Sequence, residues 1–486
     1  MISVSKPIFI NFGTDGFRGV IGDNFTFDAV SRISSSLAEY LKDNPLKTVA
    51  VGYDTRFLSK EFAYNAAKVL QSAGINVILS DNFCPSPVLS YFVKNKKCGA
   101  GIMITASHNP YMFNGLKFKS KFGSSMPESE VKKIEKLVNT KSCNVNQPKI
   151  DYMLNDNLKR ADFKEDYISH IINLTELDKA VKESDKSLLK SLDIIIDPMF
   201  GAGIGYLSLI LKNFSIKHSS INNTVNPAFP GLNPEPIDSN LHKLKAFLKK
   251  RGMKNKFAVG FATDGDADRI GAVDYEGNFI DSHKIFSIIL NYLIKDGYRG
   301  SIVKTVSVSS SIDDICKEHN IKIHEVPIGF KNIAALMTQK GSDVFMGGEE
   351  SGGIGIVSHL PERDGIFNAL LLLKIIIKTK KNLNELLSDI FNQPYPYYYI
   401  REDLHLKESS KVHLIEKLKS GSFVPFKNNV VSTNFKDGFK YIYKDGSWLL
   451  IRPSGTEPVL RIYAESKDEK KPGELINKVR REIESL

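Results

Sequence analysis

Cysteine is scarce in this sequence of 486 residues, and its four cysteines are scattered. They are Cys84, Cys98, Cys143 and Cys316. None of the spacings between them matches a metal-binding or redox pair, and a disulfide framework needs more cysteine than this. The composition therefore favours a reducing compartment, and we expect a cytoplasmic protein.

Long apolar runs are also lacking. The most apolar stretch, Leu370 to Ile377, is interrupted by Lys374 and is shorter than the roughly 20 residues that a membrane helix needs. The first ten residues lack the charged and then apolar order of a secretory signal. We therefore expect no membrane partner.

The charge is positive overall, at +11, with an isoelectric point near 9.1. No block of lysine and arginine dominates, and no segment interleaves basic with aromatic residues as RNA-binding strands do. A small anionic ligand explains the sign of the charge at least as well as a nucleic acid does. We expect a phosphorylated small molecule as partner and no nucleic acid.

Short apolar runs bounded by Gly, Asp or Pro alternate with longer amphipathic stretches, which indicates an α/β fold. This pattern recurs three times, whereas the C-terminal part has a hairpin pattern around Asp445-Gly446 and a final amphipathic helix. At this length we expect several domains. The predicted boundaries give domains 1–156, 157–277, 278–391 and 392–486.

A serine follows a predicted buried strand in the first third of the chain. The strand, Gly99 to Ile104, leads directly into Thr105-Ala106-Ser107-His108-Asn109-Pro110. Reactive groups of α/β sheets lie at such strand ends. A serine hydroxyl needs help with proton removal, for which His108 and Lys117 both qualify by type. The G-x-S-x-G pattern of hydrolases is absent, and the segment alone also fits an ordinary turn.

Three aspartates alternate with small residues after the predicted strand Lys256 to Thr263: Asp264, Asp266 and Asp268. In an extended loop, such carboxylates point to one side and form an oxygen cage for a hard divalent cation. Without a cation their charges repel each other, although a solvated acidic turn is the alternative. An EF-hand is excluded, because its sixth and twelfth positions are Arg269 and Tyr275 instead of Gly and Glu.

Two later segments combine glycine with polar side chains. In Gly347 to Gly353 the glycines allow close approach to a ligand, and Glu349 and Ser351 are spaced to bind adjacent sugar hydroxyls. A flexible hinge is the alternative interpretation. In Arg452 to Pro458 an arginine fork and neighbouring hydroxyl and amide donors suit a phosphate that is held while chemistry occurs elsewhere.

Together and in this order, the four segments resemble the α-D-phosphohexomutase superfamily, which includes phosphoglucomutases, phosphomannomutases and phosphoglucosamine mutases. The resemblance spans nearly the whole chain, and it also includes Phe12-Gly-Thr-Asp-Gly-Phe-Arg-Gly19, Asn233-Pro-Glu-Pro236 and Gly329-Phe-Lys331. It implies a heart-shaped enzyme of four domains around a central cleft. Three similar α/β/α domains would be followed by a smaller α+β domain.

The resemblance also implies roles for individual residues. The phosphorylated residue would be Ser107, and Mg²⁺ would be bound by a phosphoserine oxygen together with Asp264, Asp266 and Asp268. The transferring phosphoryl group would be surrounded by Arg18, His108, Lys117 and Arg269. Sugar hydroxyls would be bound by Glu349, Ser351 and Lys331. The distal phosphate would be held by Arg452, Ser454, Gly455 and Thr456, and Arg56 would support the substrate site.

The implied activity interconverts hexose 1-phosphate and hexose 6-phosphate through a 1,6-bisphosphate, with glucose 1,6-bisphosphate as the primer. Glu349-Glu350-Ser351 is typical of phosphoglucomutases, so glucose is favoured. Mannose, or dual use of glucose and mannose, stays open, as do glucosamine and a pentose. We expect a monomer or a weak homo-oligomer.

Two other classes can be compared with this prediction. A dinucleotide-binding oxidoreductase would use Gly201-Ala-Gly203-Ile-Gly205, but the position of the third glycine in its fingerprint is Tyr206. A catalytically inactive relative is disfavoured because every expected functional position is filled. The sequence therefore predicts an active phosphosugar mutase.

Overall fold

The computed structural model describes residues 8–13, 15–140, 157–252, 255–453 and 459–485. Its strands form four sheets, and each sheet with its helices is called a unit below, numbered in chain order. None of the helices in these ranges is long and apolar enough to cross a membrane.

The first unit is a six-stranded mixed sheet with the order β1-β5-β4-β2-β3-β6. Its strands are β1 (Phe17–Val20), β2 (Thr48–Tyr53), β3 (Asn76–Ser80), β4 (Ala100–Ile104), β5 (Phe113–Ser120) and β6 (Lys159–Ala161). Its helices are α1 (Phe27–Tyr40), α2 (Ser59–Ser72), α3 (Ser86–Asn95) and α4 (Glu128–Thr140). β2, β3, β4 and β6 run parallel, whereas β5 is antiparallel to β4.

The second unit is a five-stranded sheet with the order β11-β10-β9-β7-β8. Its strands are β7 (Asp193–Asp197), β8 (His218–Ser220), β9 (Ala258–Thr263), β10 (Ile270–Val273) and β11 (Phe279–Ile280). Its helices are α5 (Lys164–Thr175), α6 (Leu177–Glu183), α7 (Lys186–Ser191), α8 (Tyr206–Asn213) and α9 (His242–Gly252). β9 is parallel to β7 and antiparallel to β10.

The third unit is a four-stranded sheet with the order β13-β12-β14-β15. Its strands are β12 (Ser301–Thr305), β13 (Lys322–Val326), β14 (Val344–Gly348) and β15 (Ile354–Ile356). Its helices are α10 (Ser282–Lys295), α11 (Ser311–Glu318), α12 (Phe330–Met337), α13 (Gly365–Thr379) and α14 (Leu383–Phe391). β14 is parallel to β12 and antiparallel to β15.

The fourth unit differs, because its five strands are all antiparallel, in the order β16-β20-β19-β18-β17. They are β16 (Tyr398–His405), β17 (Val430–Asn434), β18 (Phe439–Tyr443), β19 (Trp448–Pro453) and β20 (Val459–Ser466), with the helices α15 (Glu408–Ser420) and α16 (Lys471–Glu484). The predicted hairpin at Asp445-Gly446 is confirmed, since it joins β18 to β19.

Helix α13 packs the second and third units together. All but its last two residues are buried, which explains why the apolar run noted in the sequence covers every face of the helix. It contacts α5, α6, α8, β9 and β10 of the second unit and α10 of the third. The N-cap residue Asp364 accepts a hydrogen bond from the Phe367 amide, which fixes where the helix begins.

The fourth unit has its own core and touches the third unit through a small apolar cluster. Val306 of the third unit packs in this cluster against Trp448, Leu450 and Tyr463. The Trp448 indole donates hydrogen bonds to Ser310 Oγ at 3.1 Å and to a carboxylate of its own unit. The contact between the two units is therefore partly apolar and partly polar.

The predicted boundaries at residues 156 and 277 differ slightly from the ends of the first two sheets. Residue 156 lies outside the described residues, but β6 extends the first sheet to Ala161, and β11 extends the second sheet to Ile280. Both strands are short. β6 is largely basic, and β11 has only two residues, which are too few to show an alternating apolar pattern in the sequence. The four-domain α/β architecture matches the prediction.

Candidate active site

Three loops occupy the same place in the first three sheets. Each loop leaves a strand that has a parallel neighbour and enters an antiparallel strand beside it. We call residues 105–112, between β4 and β5, the serine loop; residues 264–269, between β9 and β10, the aspartate loop; and residues 349–353, between β14 and β15, the glutamate loop. The three repeated units thus present their predicted functional residues in equivalent positions.

Ser107 is buried, and its hydroxyl points at the aspartate loop. Ser107 Oγ donates a hydrogen bond to Asp264 Oδ2 at 2.9 Å, and His108 Nδ1 lies 3.4 Å from the same serine oxygen. The backbone at Ser107 has φ of 53°, in the left-handed region that L-residues rarely adopt, and its amide donates to Thr105 Oγ1 at 2.9 Å. This conformation turns the hydroxyl away from the strand and toward the second unit.

The aspartate and serine loops also meet backbone to backbone. A Cβ atom added to Gly265 would lie 2.2 Å from the Ser107 carbonyl oxygen, so only glycine allows this approach. At the start of α3, the Ser86 amide donates to the Asp266 carbonyl at 2.9 Å, and Ser86 Oγ donates to Asp266 Oδ2 at 2.5 Å. The first and second units are therefore joined at the predicted site of chemistry.

Arg56 supports the serine loop from behind. Its terminal nitrogens donate to the carbonyl oxygens of Ser107, Asn109, Pro110 and Phe113 at 2.6–3.1 Å. Its Nε lies 3.3 Å from Asp54 Oδ2, and Asp54 also accepts a hydrogen bond from Thr105 Oγ1. Arg56 was predicted to support the substrate site, and its terminal donors are directed at the backbone of the serine loop and of Phe113.

The three aspartates of the aspartate loop come together with carboxylate oxygens within 4.8 Å of one another, and all three are fully buried. The loop is a turn and not the extended segment that the sequence suggested. Asp264 Oδ1 accepts hydrogen bonds from the Asp268 and Arg269 amides, and Ala267 has φ of 57°. These bonds close the turn and bring the carboxylates to one side.

This carboxylate group fits a divalent cation. Asp266 Oδ1 and Asp268 Oδ1 are buried and have no hydrogen-bond partner among the described residues. Burial, together with the neighbouring Asp268 and Asp266, raises the pKa of Asp264 well above its usual value. An oxygen-rich cluster of this kind suits Mg²⁺, which would satisfy the two free oxygens and offset the repulsion.

Three of the cationic side chains predicted for the site contact or belong to the serine and aspartate loops. Lys117 Nζ lies 2.8 Å from Asp15 Oδ2 and 2.9 Å from Asp266 Oδ2. Arg269 Nη1 donates to Glu235 Oε1 at 3.1 Å, and Arg18 Nη1 donates to Asn109 Oδ1 at 2.5 Å. Lys117 thus joins the first unit to the aspartate loop, and Arg18 contacts the serine loop.

His108 and Lys117 differ in their protonation. Burial and the nearby Arg269 and Arg18 hold the pKa of His108 well below its usual value, so its ring is neutral at pH 7. For Lys117, burial lowers the pKa, but the carboxylates of Asp15, Asp266 and Asp268 outweigh it and raise the pKa above its ordinary value. Lys117 is therefore a fixed cation, and His108 is a proton acceptor within reach of Ser107.

The glutamate loop places its first carboxylate in the same region. Glu349 Oε1 lies 3.3 Å from Arg363 Nη1, and burial raises the Glu349 pKa to about 7. Ser351 is half-buried in the same loop. Lys331, predicted to assist these two, instead pairs with Glu128 of the first unit at 2.8 Å, beside a cleft that Asp15 also lines.

The predicted clamp for the distal phosphate is described only in part. Arg452 Nε lies 2.9 Å from Asp437 Oδ1, and Asp437 Oδ2 accepts a hydrogen bond from the Ile328 amide at 2.8 Å. Arg452 is thus linked to the segment that carries Lys331. The other predicted members, Ser454, Gly455 and Thr456, lie outside the described residues.

Several residues at the site were missed by the sequence reading. They are Asp15, Ser86, Glu235 and Arg363, and each contacts a predicted site residue. Asp15 and Glu235 lie within motifs that carried the family resemblance, which is a signal that was available. Ser86 and Arg363 have no local signal, because only the packing of units brings them to the aspartate loop.

Comparison with known proteins agrees with this geometry. The family models for domains I, II, III and the C-terminal domain of phosphoglucomutase/phosphomannomutase match residues 10–144, 165–277, 281–393 and 405–482. The chain belongs to the phosphoglucomutase/phosphomannomutase family. It is thus an enzyme of the α-D-phosphohexomutase superfamily, whose members are isomerases that move a phosphoryl group.

The relatives carry more than one substrate name. A protein of Methanosphaera stadtmanae named "Probable phosphoglucosamine mutase" is 32% identical over 94% of both chains. The "Phosphoglucomutase/phosphomannomutase" of Thermococcus kodakarensis is 29% identical over 96% of both. A crystal structure from Thermus thermophilus, assigned as a phosphomannomutase, covers 99% of this chain and 100% of its own, with 32% identity and a TM-score of 0.84. The substrate is therefore a matter for proposal.

Proposed function

We propose that this enzyme interconverts glucose 1-phosphate and glucose 6-phosphate, with Ser107 as the residue that carries the phosphoryl group. One observation carries the proposal: the Ser107 hydroxyl is buried 2.9 Å from Asp264 Oδ2, beside a carboxylate cluster and among fixed cations. A buried hydroxyl in such surroundings suits phosphoryl transfer, in which positioning and charge stabilisation supply most of the rate.

The proposed reaction has two transfers. In the first, the free sugar hydroxyl attacks phosphoserine; its oxygen bonds to phosphorus as the bond from phosphorus to Ser107 Oγ breaks. The hydroxyl proton passes to a base, and Ser107 Oγ takes up a proton as it leaves, so the product is a hexose 1,6-bisphosphate. After this intermediate turns end for end in the cleft, Ser107 Oγ gives its proton to the base and attacks the other phosphate, and the sugar oxygen that leaves takes up a proton. Phosphoserine and an isomerised monophosphate result.

The protein groups have distinct tasks in this scheme. His108 lies closest to the reacting oxygen and stays neutral, so it is favoured as the base. Lys117, Arg18 and Arg269 would hold the phosphoryl oxygens. Asp264, Asp266 and Asp268 would bind Mg²⁺, which neutralises negative charge on the phosphoryl oxygens when it is present.

The distal phosphate would be held by Arg452 with Ser454, Gly455 and Thr456, while Glu349, Ser351 and Lys331 bind the sugar. Because the bisphosphate must bind in both orientations, the clamp has to accept either phosphate. The Lys331–Glu128 ion pair crosses from the third unit to the first, so the sugar would replace Glu128 as the partner of Lys331.

Glucosamine phosphate is the second candidate, favoured by the names of two relatives that are 32% and 28% identical to this chain. Glucose was favoured in the sequence by Glu349-Glu350-Ser351. In the fold, Glu350 is half-buried, and its Oε2 accepts a hydrogen bond from Ser307 Oγ at 2.7 Å. Because this carboxylate oxygen already binds the protein, the preference for glucose is proposed for the loop as a whole and not for a direct contact of Glu350 with the sugar.

The test is intact mass measured with and without glucose 1,6-bisphosphate, which we propose as the primer, on the native chain and on Ser107→Ala. We expect one phosphoryl group on the native chain only, and a loss of turnover of at least about 10³-fold in the variant. Comparing rates on glucose 1-phosphate and glucosamine 1-phosphate then decides the sugar. Phosphorylation of the variant, or its normal turnover, would contradict the assignment of Ser107.

Two further expectations belong to the same proposal. We propose that the enzyme works in the cytoplasm, where sugar phosphates are metabolised and buried thiols such as Cys84, Cys98 and Cys316 stay reduced. We also propose a monomer or a weak homo-oligomer, since the three catalytic loops are all supplied by one chain.

A further inference from the structure

Arg363 lies where three of the units meet. Its Nη2 is 2.9 Å from Asp15 Oδ2 in the first unit and 2.7 Å from Asp268 Oδ2 in the second. Its Nη1 is 3.3 Å from Glu349 Oε1 in its own, third unit. One guanidinium group therefore contacts a proposed metal ligand and a proposed sugar ligand at the same time.

The neighbours of Arg363 in sequence fix its backbone. Glu362 is buried and accepts a hydrogen bond from Lys119 Nζ of the first unit at 2.8 Å. Asp364 accepts hydrogen bonds from Tyr167 Oη of the second unit at 2.8 and 2.9 Å. Three consecutive charged residues are thus buried, and each reaches a different partner across a unit boundary. The guanidinium position is consequently set by the packing of all three units.

A glycine leaves the space that the Arg363 side chain fills. A Cβ atom added at Gly353 in the glutamate loop would lie 2.3 Å from Arg363 Cδ and 3.1 Å from Glu349 Oε1. The glutamate loop therefore packs directly on the arginine stem. The Phe330 ring covers the guanidinium from another side, with its centroid 5.5 Å from Cζ.

We propose that Arg363 is a positioning residue that couples the metal ligand Asp268 to the sugar ligand Glu349. The planar guanidinium holds two carboxylates at a fixed angle, so a change at one carboxylate moves the other. A lysine at this position keeps the charge, but it is a point charge without the fork. This inference rests on the proposed function, since it uses the proposed roles of both carboxylates.

The experiment is a double-mutant cycle read out by Mg²⁺ binding in isothermal titration calorimetry, without any sugar. It uses the full chain, Glu349→Gln, Arg363→Lys and the double variant, all at about pH 8.5, where Glu349, whose pKa is about 7, is ionised. We expect Glu349→Gln to weaken Mg²⁺ binding on the order of tenfold in the native background, and by less than about twofold in the Arg363→Lys background. The coupling should disappear because a lysine lacks the planar fork that holds the carboxylates of Asp268 and Glu349 at a fixed angle.

Glu350→Gln is the matched control, because it removes the same charge from the next residue, whose carboxylate bonds to Ser307. It should change Mg²⁺ affinity by less than about twofold. Gly353→Ala is a second way to displace the arginine, and it replaces Arg363→Lys in the cycle if the lysine variant does not fold. It should weaken Mg²⁺ binding in the native background and likewise abolish the effect of Glu349→Gln.

The outcomes separate this inference from the proposed function. An equal effect of Glu349→Gln in both backgrounds would reveal simple charge loss and would overturn the coupling alone, as would no effect in either. A native chain that binds no Mg²⁺ would overturn the coupling and the metal assignment together. Normal Mg²⁺ binding in Gly353→Ala would also count against the coupling.

Discussion

The two ends of the proposed substrate site are built in opposite ways. Around Ser107, three units contribute buried side chains that already bond to each other, such as Lys117 with Asp266 and Arg363 with Asp268. In the fourth unit, Arg452 is partly exposed and pairs with Asp437 near the end of β19, the central strand of a separate sheet. The contrast teaches that the charges proposed for phosphoryl transfer are arranged in advance, whereas the arginine proposed for the distal phosphate is partly open to solvent.

This contrast predicts that substitutions near Ser107 reduce turnover, while those in the fourth unit alter binding. The largest effect is expected for Asp266→Asn. It removes one of three carboxylates of the proposed metal site, and it also removes a negative charge that pairs with Lys117. We expect kcat to fall on the order of 10²- to 10³-fold, with weaker Mg²⁺ binding by calorimetry.

The control for Asp266→Asn is Glu276→Gln, which changes an exposed carboxylate of the same unit to an amide. It should leave both quantities unchanged. Normal turnover and normal Mg²⁺ affinity in Asp266→Asn would contradict this contrast, because the buried groups around Ser107 would then work without the full set of three carboxylates.

A smaller effect is expected for Gly265→Ala. The added methyl group would stand 2.2 Å from the Ser107 carbonyl oxygen, so the aspartate and serine loops must separate. We expect kcat to fall roughly 10- to 100-fold, because small displacements at a reaction centre are costly. Steady-state kinetics and the melting temperature together show whether the loss is catalytic or a loss of folding.

Gly473→Ala in α16 of the fourth unit is the matched control, since beyond its own helix no atom of the described residues lies within 4 Å of the added Cβ. It should keep kcat and leave the melting temperature unchanged or slightly raised, as alanine favours a helix. Equal losses of kcat in Gly265→Ala and Gly473→Ala would contradict this explanation, because the effect would then not depend on the close packing of the aspartate and serine loops.

At the other end of the site, Arg452→Lys should alter binding more than turnover. Lysine keeps the charge but loses the fork that binds two phosphate oxygens. We expect KM for the sugar phosphate to rise about tenfold and kcat to fall less. Arg480→Lys, which changes an exposed arginine of α16, is the control and should leave KM unchanged. A fall in kcat alone would place Arg452 in the chemical step.

The smallest effect concerns the contact between the third and fourth units. Lys440 is buried there, its Nζ donates to the Val306 carbonyl at 2.6 Å, and burial lowers its pKa to about 8. The unfolded chain, with a lysine pKa near 10.4, binds more protons above pH 8. The free energy of unfolding should therefore rise from pH 8 to about pH 9.5, and Lys440→Met should flatten this slope.

Chemical denaturation at several pH values measures this slope. Below pH 8 lysine is protonated in both states, so the variant and the native chain should follow parallel curves there. A free energy of unfolding of the native chain that falls between pH 8 and about pH 9.5 would contradict the lowered pKa of Lys440.

The sequence predicted the parts of the site that lie within one segment. Ser107 and the three aspartates stand directly after apolar strands, so their position at the strand ends could be predicted. The repeated α/β pattern likewise predicted the layered units. The turn of the aspartate loop was missed, because Asp264 side-chain bonds, and not residue propensity, close it.

The remaining site residues depend on the packing of separate units. Arg363 comes from a loop before α13, and no spacing in the sequence relates it to Asp15 or Asp268. Lys331 was assigned to the sugar, yet in the fold it binds Glu128, which lies about two hundred residues earlier in the chain. Such contacts become visible only when the units are placed against each other.

Trp448 is the one tryptophan in the whole sequence, and its indole bridges the fourth unit to Ser310 of the third. The protein consequently contains its own optical reporter at this junction. Its ultraviolet emission would respond if the fourth unit shifted against its neighbour as a sugar phosphate entered, so the movement could be timed by stopped-flow fluorescence without attaching any dye.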